Sequence, residues 1–303
     1  MEMRRLGKTD LMVTVLGFGT AEIGLQNLSQ KECNTLLNEV IDAGVNVIDT
    51  AACYEDAEEK IGRAIADRRK EYYLFSKCGH RTASDDPPEW SPDIIAHSAQ
   101  RSLKLLQTDY LDLLFLHSCS REVLKNDDII NSLEQCRQEG LTRCIGYSGD
   151  GENAMFALEM GTFDCIETSV SICDQRAIGS VLVRAEEMDC GVVVKRPIAN
   201  ACWRDPGEMG EFYRGYAAPY RERLDQMGIS PQSVGFQGPW VDLALRFTIF
   251  QPGVHSAIVG SRNIDHVKGN INIVAQGPLP EQVIKSMREA WLRSDNGTWK
   301  GQT

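Results

Sequence analysis

The sequence predicts an α/β chain that closes a (β/α)8, or TIM, barrel, and three observations carry the prediction. Eight short apolar runs, rich in β-branched residues, alternate with stretches of helical periodicity, the pattern of parallel strands buried on both faces. At or beside the end of each run stands a polar residue: Thr20, Asp49, Lys77, His117, Ser148, Ser169, Lys195 or Ser261. The 303 residues suit one domain, 1–303, with modest insertions, because barrels of about 250 residues fold as single units. A doubly wound open sheet is the weaker alternative.

In chain order, residues 3–14 read as a β-hairpin whose turn is Gly7 to Asp10, ahead of the repeating part. The eight strand candidates are LGFGT (16–20), VNVIDT (45–50), YYLFSK (72–77), YLDLLFLH (110–117), TRCIGYS (142–148), DCIETSV (164–170), GVVVKR (191–196) and HSAIVGS (255–261). Between them, Ser29 with Glu32 forms a capping box and Ser91-Pro92 a cap followed by proline in the first turn. Gly44, Gly140 and Gly191 stand where helices should stop. Apolar residues at helical spacing, such as Leu36, Leu37, Val40 and Ile41, are core stripes. Two stretches exceed the basic unit, and both are expected to overhang the C-terminal ends of the strands. One is the polar segment 80–90 with its Pro87-Pro88 break. The other is a long loop, about 200–238, rich in glycine and aromatics (Trp203, Phe212, Tyr213, Tyr216, Tyr220, Phe236) and expected to be functional or a lid.

Composition narrows the function classes. With 42% hydrophobic and 25% charged residues the chain is an ordinary globular protein. A formal charge of -11 repels nucleic acid and anionic membranes, so neither is expected as a partner. No apolar region follows the two N-terminal arginines, and no stretch is long enough to span a bilayer. Ten scattered cysteines without a Cys-x-x-Cys pair fit reduced, buried thiols and a cytoplasmic location. No His-x-His or His-Glu-x-x-His pair is present, so no metal is expected. GYSGD narrowly misses the Gly-x-Ser-x-Gly elbow of serine hydrolases.

Chemistry concentrates at VIDTAACYE (47–55). Asp49 stands where a buried strand runs out, and Tyr54 follows in the same strand-to-helix loop. The alternative is that Asp49 caps the helix and Tyr54 packs on the rim. Active sites of this barrel class form at the C-terminal strand ends, so Asp49, Lys77 and His117, on three successive strands, are read together with Tyr54. A tyrosine titrates near pH 10 and needs a neighbouring cation to act as a general acid or base near neutrality. Lys77 supplies it, Asp49 holds the ammonium, and His117 orients a substrate oxygen. The set protonates a carbonyl but contains no reductant, so a cofactor is required.

From LGKTDLMVTVLGFGT through IDTAACY, FSK, LDLLFLH and IGYSGD to GVVVKRP and AIVGSRNIDHVKGN, the chain resembles the aldo-keto reductase family over nearly its whole length. The resemblance implies a catalytic tetrad of Tyr54 as proton donor, Lys77, Asp49 and His117. It also implies a carbonyl substrate and a nicotinamide cofactor lying over the barrel mouth, NADP(H) with NAD(H) as the alternative. GFGTAE (17–22) accordingly lacks the Gly-x-Gly-x-x-Gly fingerprint. Implied cofactor positions are Gly19, Thr20 and Asp49 on the first two strands, and Ser148, Gly149 and Glu167 around the carboxamide. Lys195 and Arg196 close the seventh run. A cofactor loop at about 260–270 contributes Gly260, Ser261, Arg262, His266 and Asn270, with Ser261 and Arg262 at the 2′-phosphate and His266 and Asn270 at the adenine.

Four positions depart from the family pattern: Gly149 replaces a common asparagine, Glu167 a glutamine, Lys195 a stacking aromatic and Gly269 a glutamate. Lys195 and Glu167 are expected to pair, leaving the pocket without net charge. If Lys195 does not pair, it points along the rim into solvent. The competing function is a silent nicotinamide-binding barrel acting as a sensor or subunit. Trp90 and Trp203 are candidates for the substrate wall. His80, His97 and His255 are assigned to a loop, a helix surface and a strand start. Cys53 and Cys78, beside the site, are assigned to packing. The substrate, its reaction direction and the oligomeric state are not readable.

Overall fold

The structure, a computed structural model, describes residues 1–302, and the side chain of Phe212 lies outside the described set. All eight apolar runs form strands. Ahead of them, β1 (Met3–Arg5) and β2 (Met12–Thr14) pair antiparallel in the expected hairpin. The repeating strands are β3 (Leu16–Gly19), β4 (Val47–Asp49), β5 (Tyr73–Cys78), β6 (Leu111–His117), β7 (Thr142–Ser148), β8 (Cys165–Ser169), β9 (Gly191–Lys195) and β10 (Ser256–Val259). They are parallel neighbours in sequence order, and β10 closes on β3. An open sheet is thereby excluded.

Side-chain alternation along these strands decides what reaches the site. Val47, Phe75, Phe115, Cys165 and Val193 all belong to the cluster that fills the barrel interior. Two residues further along each strand stand Asp49, Lys77, His117, Glu167 and Lys195, which the same parity turns inward at the C-terminal mouth. The opposite end is plugged by the hairpin, whose Leu6, Leu11 and Val13 join the inner cluster. At Gly7 (φ +52°) the turn lies so close to the backbone of Asp189–Gly191 that a Cβ would strike it. A larger apolar cluster lies between the barrel and its helices and takes in Leu36, Leu37, Val40 and Ile41.

Ser29 and Glu32 form the expected capping box on helix Gln30–Asp42, and Ser91 caps helix Pro92–Leu106. Gly44 and Gly140 follow helix ends with positive φ. Gly191 does not. Asp189, at φ +48°, takes the left-handed position there, and Gly191 opens β9, where a Cβ would press on Leu6. The stretch 200–238 is also more ordered than a loop. It holds the 17-residue helix Glu211–Met227, which carries Pro219 internally, and three short 3-10 turns. Phe212, Tyr213, Tyr216 and Tyr220 stand on that helix, whereas Trp203 and Phe236 lie outside it, and the helix builds a second core with helix Trp240–Ile249, which masked the segment's periodicity.

The cysteines are free thiols, nine of them buried and Cys53 half-buried. Among the described residues, no group of His, Cys, Asp or Glu is placed to hold a metal ion, and no helix is long and apolar enough to cross a membrane.

Candidate active site

At the mouth, Lys77 Nζ donates to Asp49 Oδ1 at 2.6 Å and to the Thr50 carbonyl at 2.9 Å. Both side chains are almost wholly buried. Tyr54 is brought over this pair by the turn after β4, where its amide donates to Ala51 O at 3.0 Å. Helix Ala21–Leu25 supports the turn: Gly24 lies against the Tyr54 carbonyl with no room for a Cβ. The Tyr54 ring centroid is 5.7 Å from Lys77 Nζ and 6.1 Å from the His117 ring, edge to face. The four residues expected to act together therefore form one constellation.

Burial sets the protonation states. It holds the Tyr54 phenol above its ordinary value, with Lys77 opposing the shift. Burial and the Lys77 charge hold His117 well below the usual imidazole range, so the ring is neutral. Burial opposes the Lys77 charge, yet the Asp49 and Glu167 carboxylates keep the ammonium above its ordinary value. Asp49 is pushed up to about 8 by burial and by Glu167.

Glu167 joins this group, where the sequence reading paired it with Lys195. Glu167 Oε2 is 3.3 Å from Lys77 Nζ, and Oε1 accepts from Ser148 Oγ at 3.2 Å. Register explains it: β7 pairs His117 with Ser148 across one edge and Ser148 with Glu167 across the other. Lys195, 14% exposed at its side chain, turns to Asp150 Oδ2 at 3.3 Å and does not reach into solvent. Asp150 also accepts from Thr168 Oγ1 (3.0 Å) and the Ser169 amide (2.6 Å). Despite burial, Lys195 and that amide hold its carboxyl below the ordinary range. Arg196, at φ +59°, donates to Tyr216 Oη (2.5 Å) and Ser169 Oγ (3.2 Å).

Gly149 has no free space for a side chain, because the Tyr147 ring fills it while the Tyr147 hydroxyl donates to Cys119 O at 2.8 Å. Gly19 pairs with Asp49 in the sheet, and Thr20 Oγ1 donates to Asp49 O at 2.9 Å. A Cβ on Gly260 would press on Gly19 O, so the β3 and β10 ends approach closely. Beyond them, Ser261 Oγ is 3.2 Å from His266 Nδ1, Asn270 is buried on helix Ile264–Val274, and Arg262 is exposed and donates to Gln26 Oε1 at 3.1 Å.

Sequence reasoning passed over Asp150 and Glu22 and gave Cys53 only a packing role. Asp150 was visible as an acid two residues past a strand end, the signal already used for Asp49 through His117. Cys53 Sγ lies 3.4 Å from His117 Nδ1, closer to the chemistry than a packing role suggests. Glu22 is half-buried, its partial desolvation raises its carboxyl pKa, and it accepts from the Tyr213 hydroxyl and the Arg262 amide. No local pattern marks Glu22, since the contact joins three distant segments. Of the proposed wall, His80 bridges Trp90 (4.8 Å between ring centroids) and His117 (5.2 Å), whereas Trp203 stacks on Trp240 in the second core.

The closed (β/α)8 barrel thus carries a buried acid and lysine with a half-buried tyrosine and histidine at its mouth. Residues 15–292 match the model of the aldo/keto reductase family, and the chain belongs to that family. It is 29% identical over 300 residues to the uncharacterized oxidoreductase YqkF of Bacillus subtilis, covering 95% of this chain and 96% of the relative. It is 25% identical over 291 residues to the L-galactose dehydrogenase of Arabidopsis thaliana, covering 91% and 89%. The holo form of aldo-keto reductase AKR11C1 from Bacillus halodurans superposes with a TM-score of 0.81 at 28% identity, covering 96% of each chain.

The family uses nicotinamide cofactors, and the residues present fit one. Gly19 and Gly260 leave bare backbone at the mouth. Ser148 and Glu167 offer a hydroxyl and a carboxyl, with Glu167 Oε2 buried and without a hydrogen-bond partner among the described residues. The exposed Arg262 guanidinium suits a phosphate.

Proposed function

We propose that the protein reduces an aldehyde or ketone carbonyl to the alcohol with NADPH, Tyr54 being the proton donor. One observation carries the reading: Lys77, bound to Asp49 at 2.6 Å, lies beneath the Tyr54 ring with the neutral His117 at its edge. A phenol held above its ordinary value stays protonated at neutral pH, as a donor must. The Lys77 cation stabilises the phenolate left after transfer, and Asp49 fixes the ammonium in place. The neutral His117 donates a hydrogen bond that orients the carbonyl oxygen, and Cys53 at its Nδ1 restrains the ring. Reduced nicotinamide, when bound, supplies the two electrons.

Ser148 and Glu167, with Gly149 beside them, would hold the carboxamide, and Gly19, Thr20, Lys195 and Arg196 would lie around the ring and ribose. Gly260, Ser261, Arg262, His266 and Asn270 would hold the phosphate and adenine. We read the chain as a cytoplasmic enzyme acting on a small molecule. The test is a screen of aldehydes, ketones and sugars against NADPH and NADH, followed by the loss of reduced-cofactor absorbance. Turnover of any of them supports the reading, and binding of cofactor without turnover of any would favour a sensor or subunit.

A further inference from the structure

Asp49 Oδ2 and Glu167 Oε2 are both buried, and among the described residues neither has a hydrogen-bond partner. The single ammonium of Lys77 is near both carboxyl groups, 2.6 Å from Asp49 Oδ1 and 3.3 Å from Glu167 Oε2. Two carboxylates and one ammonium would leave a net negative charge in a space sealed from water, with two acceptor atoms unsatisfied. Burying an uncompensated charge costs far more than binding a proton. We propose that Asp49 and Glu167 share one proton, so that Glu167 acts toward the cofactor as a neutral, glutamine-like hydrogen-bonding group and makes the choice between oxidised and reduced cofactor depend on pH.

The surrounding groups agree. Lys77 on β5 is satisfied by one carboxylate. His117 on β6 is neutral, and Tyr54 and Cys53 in the turn after β4 are held in their protonated forms by burial. Lys195 on β9 is neutralised by Asp150, so it does not stabilise a second anion at Glu167. Burial and Glu167 raise Asp49 to about 8, so the shared proton is present at pH 7 and is lost above that value. With the proton on, the three-group cluster is neutral and suits an uncharged, reduced ring. With the proton off, it is negative and favours the cationic, oxidised ring.

The cofactor part of this inference rests on the proposed function, and the proton part does not. Infrared difference spectra of the protein without cofactor, taken across a pH titration, should show a buried carboxylic acid band at pH 7 that disappears as the pH rises through about 8. Asp174, which burial also raises, to about 7, contributes to the same region, so the pair is read from native-minus-variant spectra: either Glu167→Gln or Asp49→Asn should remove the component titrating near 8, and one misfolded variant does not decide the matter. In equilibrium titrations followed by fluorescence, the ratio of NADP⁺ to NADPH affinity should rise about tenfold from pH 6.5 to 9.5, the effect of a one-unit change in the pair's pKa, and should stay flat in Glu167→Gln. Absence of the band in the native protein, or its persistence in both variants, overturns the shared proton. A titrating band with an affinity ratio that does not change with pH overturns its role in cofactor choice. Failure to bind either cofactor form refutes that role and the proposed function together, while the band still decides the proton.

Discussion

Lys195 places its ammonium 3.3 Å from Asp150 Oδ2, inside the barrel mouth, and Asp150 also accepts from Thr168 Oγ1 and from the amide and hydroxyl of Ser169. The pair thus fastens the ends of β8 and β9 to the loop after β7. Removing one partner of such a buried pair strands the other charge. Asp150→Ala should therefore destabilise the fold by about 3 kcal/mol. In urea unfolding, Lys195→Met and Asp150→Asn should couple by more than about 1 kcal/mol, whereas Lys195→Met and Glu167→Gln should add to within about 0.5 kcal/mol. Coupling of the second pair but not the first would refute the assignment.

Tyr54→Phe keeps the ring over Lys77 and deletes the proton. Turnover should fall by about 10² or more, with cofactor affinity nearly unchanged. Stopped-flow reduction under single-turnover conditions checks this, and an unimpaired variant would remove Tyr54 from the role of donor.

Gly24 tests how packing controls the same residue. A Cβ there meets the Tyr54 carbonyl, which is backbone and has little freedom to yield. Gly24→Ala should push the turn after β4 outward and misplace the phenol. A misplacement near 1 Å costs about 10² in rate when positioning carries the catalysis. The expected result is a large loss of kcat with cofactor affinity largely kept, and wild-type kcat would show that the turn yields without displacing Tyr54.

Arg262 is exposed, and its guanidinium donates to the neutral Gln26 amide, leaving it able to reach a phosphate. A charge-assisted contact contributes roughly 1.5 to 3 kcal/mol, so Arg262→Ala should erase about tenfold or more of the preference for NADPH over NADH. Glu22 sits on the Arg262 amide, where its charge would oppose a phosphate. Glu22→Gln should accordingly strengthen NADPH binding and leave NADH nearly unaffected. Dissociation constants by calorimetry separate the two effects.

The barrel was legible because each strand carries its own signal. Continuous apolar runs closed by a polar residue require no knowledge of distant segments, and the same rule brought Asp49, Lys77 and His117 to one mouth. Partner choice among those polar residues was not local. Strand parity turns both Glu167 and Lys195 inward, but only the register of β7 against β6 and β8 directs Glu167 to Ser148 and Lys77. Asp150 then takes Lys195, one residue past Gly149, whose missing side chain reflects the Tyr147 ring behind it. Segment 200–238 misled for another reason: its helix shares its apolar face with helix Trp240–Ile249 and presents a periodicity broken by Pro219.

His117 gives the prediction with the clearest sign. An ordinary imidazole gains its proton below about pH 6.5, and as a cation it would change both its hydrogen bonding to a carbonyl and its repulsion from Lys77. Burial first, and the Lys77 charge second, hold this ring well below that value. Turnover at saturating substrate should therefore show no histidine limb between about pH 5.5 and 7.5. Stability should respond where turnover does not. In the unfolded chain His117 takes up a proton below about pH 6.5, while in the folded protein it stays neutral, so the unfolded state binds more protons and stability falls as the pH drops through that value. His117→Phe removes the titrating group and should flatten this acid slope in urea unfolding measured from pH 7.5 to 5.5. It should also cost about 10² in kcat/KM through loss of the donor to the carbonyl. An unchanged slope would mean that His117 titrates alike in both states, and the neutral imidazole would lose its support.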